Sequence, residues 1–212
     1  MNESSTSSDP LSLSRAEGEY LDRVFPDIAR SMGALSVTRL HERTCSTTAI
    51  SGPSAARHTA WVADAEVAVA NEDVAIKVAK NVREQAEHYG WTTAENPRDV
   101  GADGNYAGQR LLGATLEDPN LVMIVLLDKK YDGTPIVATV IHGRCYDMPE
   151  GHRMTRSTLD PDYGSASSAY VETDSLDDYT GRPAPLPSST QTPAPTGPEG
   201  ATPLYVPEDP RR

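Results

Sequence analysis

The spacing of apolar positions changes several times along the chain, and each change marks an element. From Leu13 to Met32 the residues Tyr20, Leu21, Val24, Ile28 and Met32 recur on one helical face. Ser14 with Glu17 three residues on has the form of a capping box, and Gly33 supplies a stop. Pro26 lies inside this pattern and predicts a kink or a split in the helix. From Ala34 to Cys45 the β-branched content rises, and LSVTRLHERTC alternates through Leu35, Val37 and Leu40. SGPSAARH (51–58) is turn-rich, and TAWVADAEVAV (59–69) predicts a second strand, antiparallel to the first.

The clearest helical pattern covers Glu72 to Tyr89. Asn71 is a capping residue, Glu72 and Asp73 suit the positive end, and Gly90 closes the helix. Ala75, Val78, Ala79, Val82, Ala86 and Tyr89 make its apolar stripe, and Trp91 is placed to fold back on the last turn. A polar loop (95–104) leads to a strand over Tyr106–Leu116. The strongest β signal follows: Leu121–Leu127, an Asp132-Gly133 turn, and Pro135–Cys145. LVMIVLL is apolar on both parities, which predicts a central strand with helix on at least one side.

Beyond Met154 the apolar signals fade. Residues 155–212 are rich in proline, serine, threonine and acids, and too little apolar surface is available there to offset chain entropy. The expected organisation is a flexible leader (1–10), a domain (11–154) and a disordered acidic tail (155–212). The fold class expected for the domain is α+β, a single antiparallel sheet of about five strands packed against two helices.

Composition changes the picture mainly through charge. The 212 residues carry a formal net charge of −12, with 31 acidic against 19 basic side chains. That surface disfavours nucleic-acid backbones and anionic lipid, both of which recruit basic patches. No apolar run is long enough to span a bilayer. MNESSTSSDP lacks the basic and apolar regions of a signal peptide, so the exported reading supposes a form from which the signal has been left out.

Candidate chemistry is sparse. Cys45 and Cys145 bracket nearly all the foldable sequence. With no CxxC and no His/Cys grouping at zinc spacing, a metal site is disfavoured, and neither thiol has a recognisable base beside it. A disulfide is the leading reading, over two separate buried thiols and over a reactive thiol. Five histidines are present: His41, His58, His88, His142 and His152. If the cysteines pair, His41 and His142 become neighbours, with Glu42 as a third member of a conceivable acid–base site; solvent exposure or chance proximity is the simpler reading. GADGNYAG (101–108) lacks the strand-to-helix context of a phosphate loop, Asp177-Asp178 lies in the tail, and PAPLP (183–187) lacks a basic anchor. No residue is therefore assigned a catalytic, cofactor-binding or metal-ligating role.

A strand ending in an isolated cysteine, a second strand holding a tryptophan, a helix closing as EHYGW, and a hairpin ending in GRCYDMPEG form a distinctive series. It is similar to the small envelope lipoproteins of actinobacteria, over roughly 35–152. Tyr89-Gly90-Trp91 matches their aromatic-Gly-aromatic helix end, Cys45 the first cysteine position, and Cys145 to Gly151 a Cys-x-x-x-Pro-x-Gly run. The resemblance implies a surface-anchored α/β domain linked by a Cys45–Cys145 disulfide, without catalytic residues. The lipobox of such proteins is missing from this sequence. The function expected is thus a non-catalytic, envelope-associated domain that binds an unknown protein or envelope ligand or serves structurally. The alternatives are a cytosolic acidic adaptor or immunity-type protein, and a small hydrolase.

Overall fold

The Asp132-Gly133 turn joins two β-rich runs that pair along their whole length in a computed structural model describing residues 9–45, 57–95, 97, 108–165 and 169–172. Strands β5 (Leu121–Lys129) and β6 (Pro135–Gly143) run antiparallel from Leu121 opposite Gly143 to Lys129 opposite Pro135. The turn is closed by hydrogen bonds from the Thr134 backbone N–H to the Asp132 carboxylate and from the Gly133 N–H to the Lys130 carbonyl. Gly133 takes a φ of 85°, a left-handed conformation that glycine adopts without steric cost.

Strands β1 (Arg39–Thr44) and β2 (His58–Ala68) form the expected antiparallel pair, and β2 continues the sheet by pairing with β6. On the far side β4 (Gln109–Leu116) pairs with β5 and carries the two-residue β3 (Thr92–Thr93). The strand order is β3-β4-β5-β6-β2-β1-β8-β9, with the two-residue β7 (Tyr146–Asp147) pairing beside β2. β5 is interior, as its doubly apolar sequence requires. The sheet therefore holds eight strands in its row rather than about five. Its last pair, β8 (Met154–Arg156) with β9 (Tyr170–Glu172), is parallel, so the sheet is not purely antiparallel.

Two helices complete the α+β fold. Helix α1 spans Pro10–Met32 and α2 spans Glu72–His88. The Asn71 side chain caps α2 by accepting from the Val74 N–H at 3.0 Å. Gly33, at φ 85°, ends α1. α1 starts before the expected Ser14 cap because Pro10 pre-sets the helical backbone at the first turn, where its missing N–H costs nothing. Ser14 and Glu17 consequently lie inside the helix and face the core. Nor does Pro26 split α1, which stays a single 23-residue helix with Val24, Phe25 and Ile28 buried on either side of the proline.

Both helices pack against one face of the sheet and against each other. Leu21, Val24, Phe25 and Ile28 of α1 and Ala75, Val78, Val82 and Ala86 of α2 meet alternate residues of the strands, among them Trp61, Ala63, Leu112, Met123, Val125, Val137 and Ile141. Trp91 does return to the core: its backbone N–H reaches the Ala86 carbonyl, and its indole N–H donates to the Tyr20 hydroxyl at 3.0 Å. Among the described residues no helix is long and apolar enough to cross a membrane.

Two expected boundaries move. β1 begins at Arg39 rather than at Ala34: the Gly33 and Ala34 N–H groups close the helix on the carbonyls of Arg30 and Ala29, Leu35 is fully exposed, and pairing with β2 begins where the Thr38 N–H reaches the Asp64 carbonyl. The fold also does not stop at residue 154. β8, the turns at 158–164 and β9 continue it to Glu172, so the described residues from 155 to 172 belong to the fold. The expected strand start at 106–107, most of the 95–104 loop, the 51–56 turn, the acidic pair 177–178 and the 183–187 motif lie outside the described residues.

Candidate functional site

Polar residues that interrupt the apolar stripes are the best guide to where chemistry is held. The first such feature is covalent. Cys45 closes β1 and Cys145 follows β6, and the two form a disulfide with their Cα atoms 6.1 Å apart across a sequence separation of 100. β1 and the β6–β7 connection both flank the His58 end of β2: the Cys45 N–H donates to the His58 carbonyl, and Asp147 of β7 is the register partner of His58. The His58 ring lies 2.5 Å from the Asp147 carboxylate. The bridge thus secures β7 against the open end of the sheet.

Directly beneath it lies an enclosed polar cluster that the sequence reading did not identify. Glu17 of α1 and Glu42 of β1 are both 0% exposed. Glu42 is richly partnered. It accepts from the Ser14 hydroxyl at 2.6 Å, the Thr59 hydroxyl at 3.3 Å and the Thr155 N–H at 2.8 Å. The His152 Nε2 lies 3.2 Å from Oε2, the oxygen that the Thr155 N–H also reaches. Trp61 extends the network by donating its indole N–H to the Ser14 oxygen at 3.1 Å.

Glu17 is poorly partnered by comparison. Its Oε1 accepts from the Tyr146 hydroxyl at 2.7 Å, while Oε2 is buried with no hydrogen-bond partner and lies against Gly143. Burial pushes the Glu17 carboxyl up to about 7, aided by the nearby Glu42; the Tyr146 hydroxyl, the Arg144 backbone N–H and the Arg144 charge oppose the rise. Tyr146 is itself raised, first by burial and then by its bond to Glu17.

A second cluster fixes the segment beyond β8. Asp160 accepts from the Leu40 N–H at 2.7 Å and stands 2.7 Å from His41 Nδ1. The Tyr170 ring packs edge-on against His41 and lies under the Arg156 guanidinium at 4.1 Å. Arg156 also donates to the Asp162 carbonyl at 2.7 Å. These contacts explain why a segment poor in aliphatic residues is ordered: polar anchors replace an apolar stripe.

The histidines are dispersed. His41 and His142 both register opposite Val62, on either side of β2, so they share a sheet face but stand two strands apart. Glu42 does not join them, since its side chain points to the helix-covered face. The conceivable acid–base grouping of His41, His142 and Glu42 is therefore not formed. His88 ends α2 with its ring against Tyr89. Among the described residues no group of three or more His, Cys, Asp or Glu is arranged to hold a metal ion.

A surface cavity of about 410 Å³ opens at the N-terminus of α2, walled by Leu127 and Pro135, with Glu72 and Gln109 at its rim. The Gln109 amide donates to Glu72 at 3.3 Å, so the rim partly satisfies itself.

Glu17 and Ser14 carried a usable sequence signal. They lie three and four positions apart on the same stripe as Leu21, Val24 and Ile28, and extending that stripe backward places two polar side chains in the core. Their partners Glu42, Tyr146 and His152 arrive from distant segments, and no local pattern connects them.

No family model matches the chain, and neither a curated protein nor a solved structure matches it at a significant level.

Proposed function

We propose that the chain forms an exported, envelope-associated domain with a non-catalytic binding or structural role. The observation that carries this reading is the Cys45–Cys145 disulfide. Such bridges persist in oxidising compartments and are reduced by the thiol systems of the cytosol. This one closes a loop across nearly the whole domain, where a cross-link constrains the unfolded chain strongly.

The interior supports the non-catalytic part. Ser14 bonds Glu42 and Tyr146 bonds Glu17 beneath α1, with both carboxyls fully enclosed, which is how side chains act when they fix a packing arrangement. A net charge of −12 makes a polyanionic partner unfavourable, so the partner class is a protein or a neutral or basic envelope component. Cell fractionation of the native producer tests the proposal. Recovery in the envelope or medium, with binding to envelope material lost on disulfide reduction, supports it. Recovery of a fully reduced form in the cytosol overturns it.

A further inference from the structure

Glu17 is the one member of the buried cluster whose surroundings do not match an ionised side chain. Tyr146 from β7 and the backbone N–H of Arg144 from the β6–β7 connection donate to it, and the Arg144 guanidinium contributes charge. From β1 it faces Glu42, and through Glu42 it meets His152 of the turn before β8. From β6 it lies against Gly143, and Oε2 there is without a partner. A bare anionic oxygen in an enclosed space costs far more than a neutral acid does. Glu42 next to it accepts from three donors, Ser14, Thr59 and Thr155, and a second charge in the same enclosed space would oppose a charge on it.

We propose that docking of the N-terminal half of α1 is proton-gated: the closed packing accepts Glu17 as the neutral acid, and its ionisation releases residues 10–22 from the sheet. The release is local because α1 is anchored in two different ways. Up to Asp22 its ties to the rest of the fold include the buried Leu21, the close approach of Gly18 to Trp61, and the polar contacts of Ser14 with Glu42 and Trp61 and of Glu17 with Tyr146. From Val24 to Met32 they are apolar: Val24, Phe25, Ile28, Ala29 and Met32 are all buried in the core. Asp22 adds to the same response. Burial raises its carboxyl, Ser157 opposes the rise by hydrogen bonding and Glu19 adds to it, and its Oδ1 also lacks a partner.

The gate has a definite sense. Glu17 is raised from 4.5 to about 7, so the closed form holds its proton more tightly than the open one. Closure is strongest in mild acid and weakens as pH rises through that window. The opening constant grows by at most about 300-fold across it, the ratio set by the displacement of the carboxyl.

Hydrogen exchange of the intact, oxidised protein at about pH 5 and about pH 8 tests the gate once intrinsic rates are divided out. Exchange in residues 10–22 should rise by about 100-fold and stay faster than in β5 and β6 at both values, and Glu17→Gln should flatten the rise. Equal protection of residues 10–22 at both values overturns the gate, as does a rise undiminished in Glu17→Gln, or exchange of residues 10–22 no faster than that of β5 and β6. Should that variant fail to fold, a carbon-13 titration of the Glu17 carboxyl in the unmodified chain decides. A midpoint near neutrality supports the gate, and one in the ordinary carboxylate range overturns it.

Discussion

Replacing Gly143 by alanine probes the Glu17 site without removing any polar group. A Cβ at residue 143 would lie 1.9 Å from Glu17 Oε2 and 2.7 Å from its Cδ, whereas ordinary contact begins at 3.4 Å. The carboxyl would have to retreat by about 1.5 Å to restore contact distance. That retreat pulls Oε1 away from the Tyr146 hydroxyl, now 2.7 Å distant. Overpacking costs about 1–3 kcal/mol, and a buried hydroxyl left without its acceptor about 1–3 kcal/mol more. Gly143 is not in the left-handed region, so alanine also brings a gain of about 0.4–1 kcal/mol through the unfolded chain. The net expectation is a loss of about 2–4 kcal/mol, read by urea denaturation at constant m-value. Glu17→Ala in the same chain empties the space, so the double variant should recover about 2 kcal/mol relative to the sum of the singles. A Gly143→Ala protein within about 0.5 kcal/mol of the parent, or strict additivity with Glu17→Ala, would refute the contact.

Three further outcomes follow from the same geometry. Gly18→Ala would set a Cβ 2.4 Å from Trp61 Cζ2; it should lower stability by about 1–3 kcal/mol, against the gain of about 1 kcal/mol usual for this change inside a helix, as thermal unfolding will show. Serine at both Cys45 and Cys145 should cost about 4–5 kcal/mol in chemical denaturation, the chain-entropy value for a loop closed over a separation of 100. Because Glu17 is raised from 4.5 to about 7, the folded state binds the proton more tightly than the unfolded one, and stability should be full below the lower value and fall as pH rises through the higher, by about 3 kcal/mol in all. Asp22 and Asp64, both raised by burial, act in the same direction, so Glu17→Gln should reduce the slope of stability against pH in that window without abolishing it.

What the sequence displayed was the part of the fold built by local rules. α2 could be read from its cap to its closing glycine because the five buried apolar residues lie within it and Asn71 and Gly90 flank it. The β5–β6 hairpin was legible for a similar reason, its turn and both apolar runs being contiguous. β8 and β9 were not legible, since three-residue strands carry no period and are held by Asp160, Arg156 and Tyr170. The buried cluster was hidden by a competing local rule: Ser14 and Glu17 match a capping box so well that their place on the core stripe is masked. Pro10, four residues earlier, was the helix start that displaced the cap. Cys45 and Cys145 marked the domain's clasp, but not the network of Glu17, Glu42, Tyr146 and His152 underneath it.

The most direct test of an exported, clasped domain is the redox state of those cysteines in protein taken from its native producer. Intact mass after alkylation should show no label without reductant and two labels with it, together with recovery outside the cytosol. Two thiols freely alkylated in the folded, unreduced protein would contradict both the clasp and the compartment.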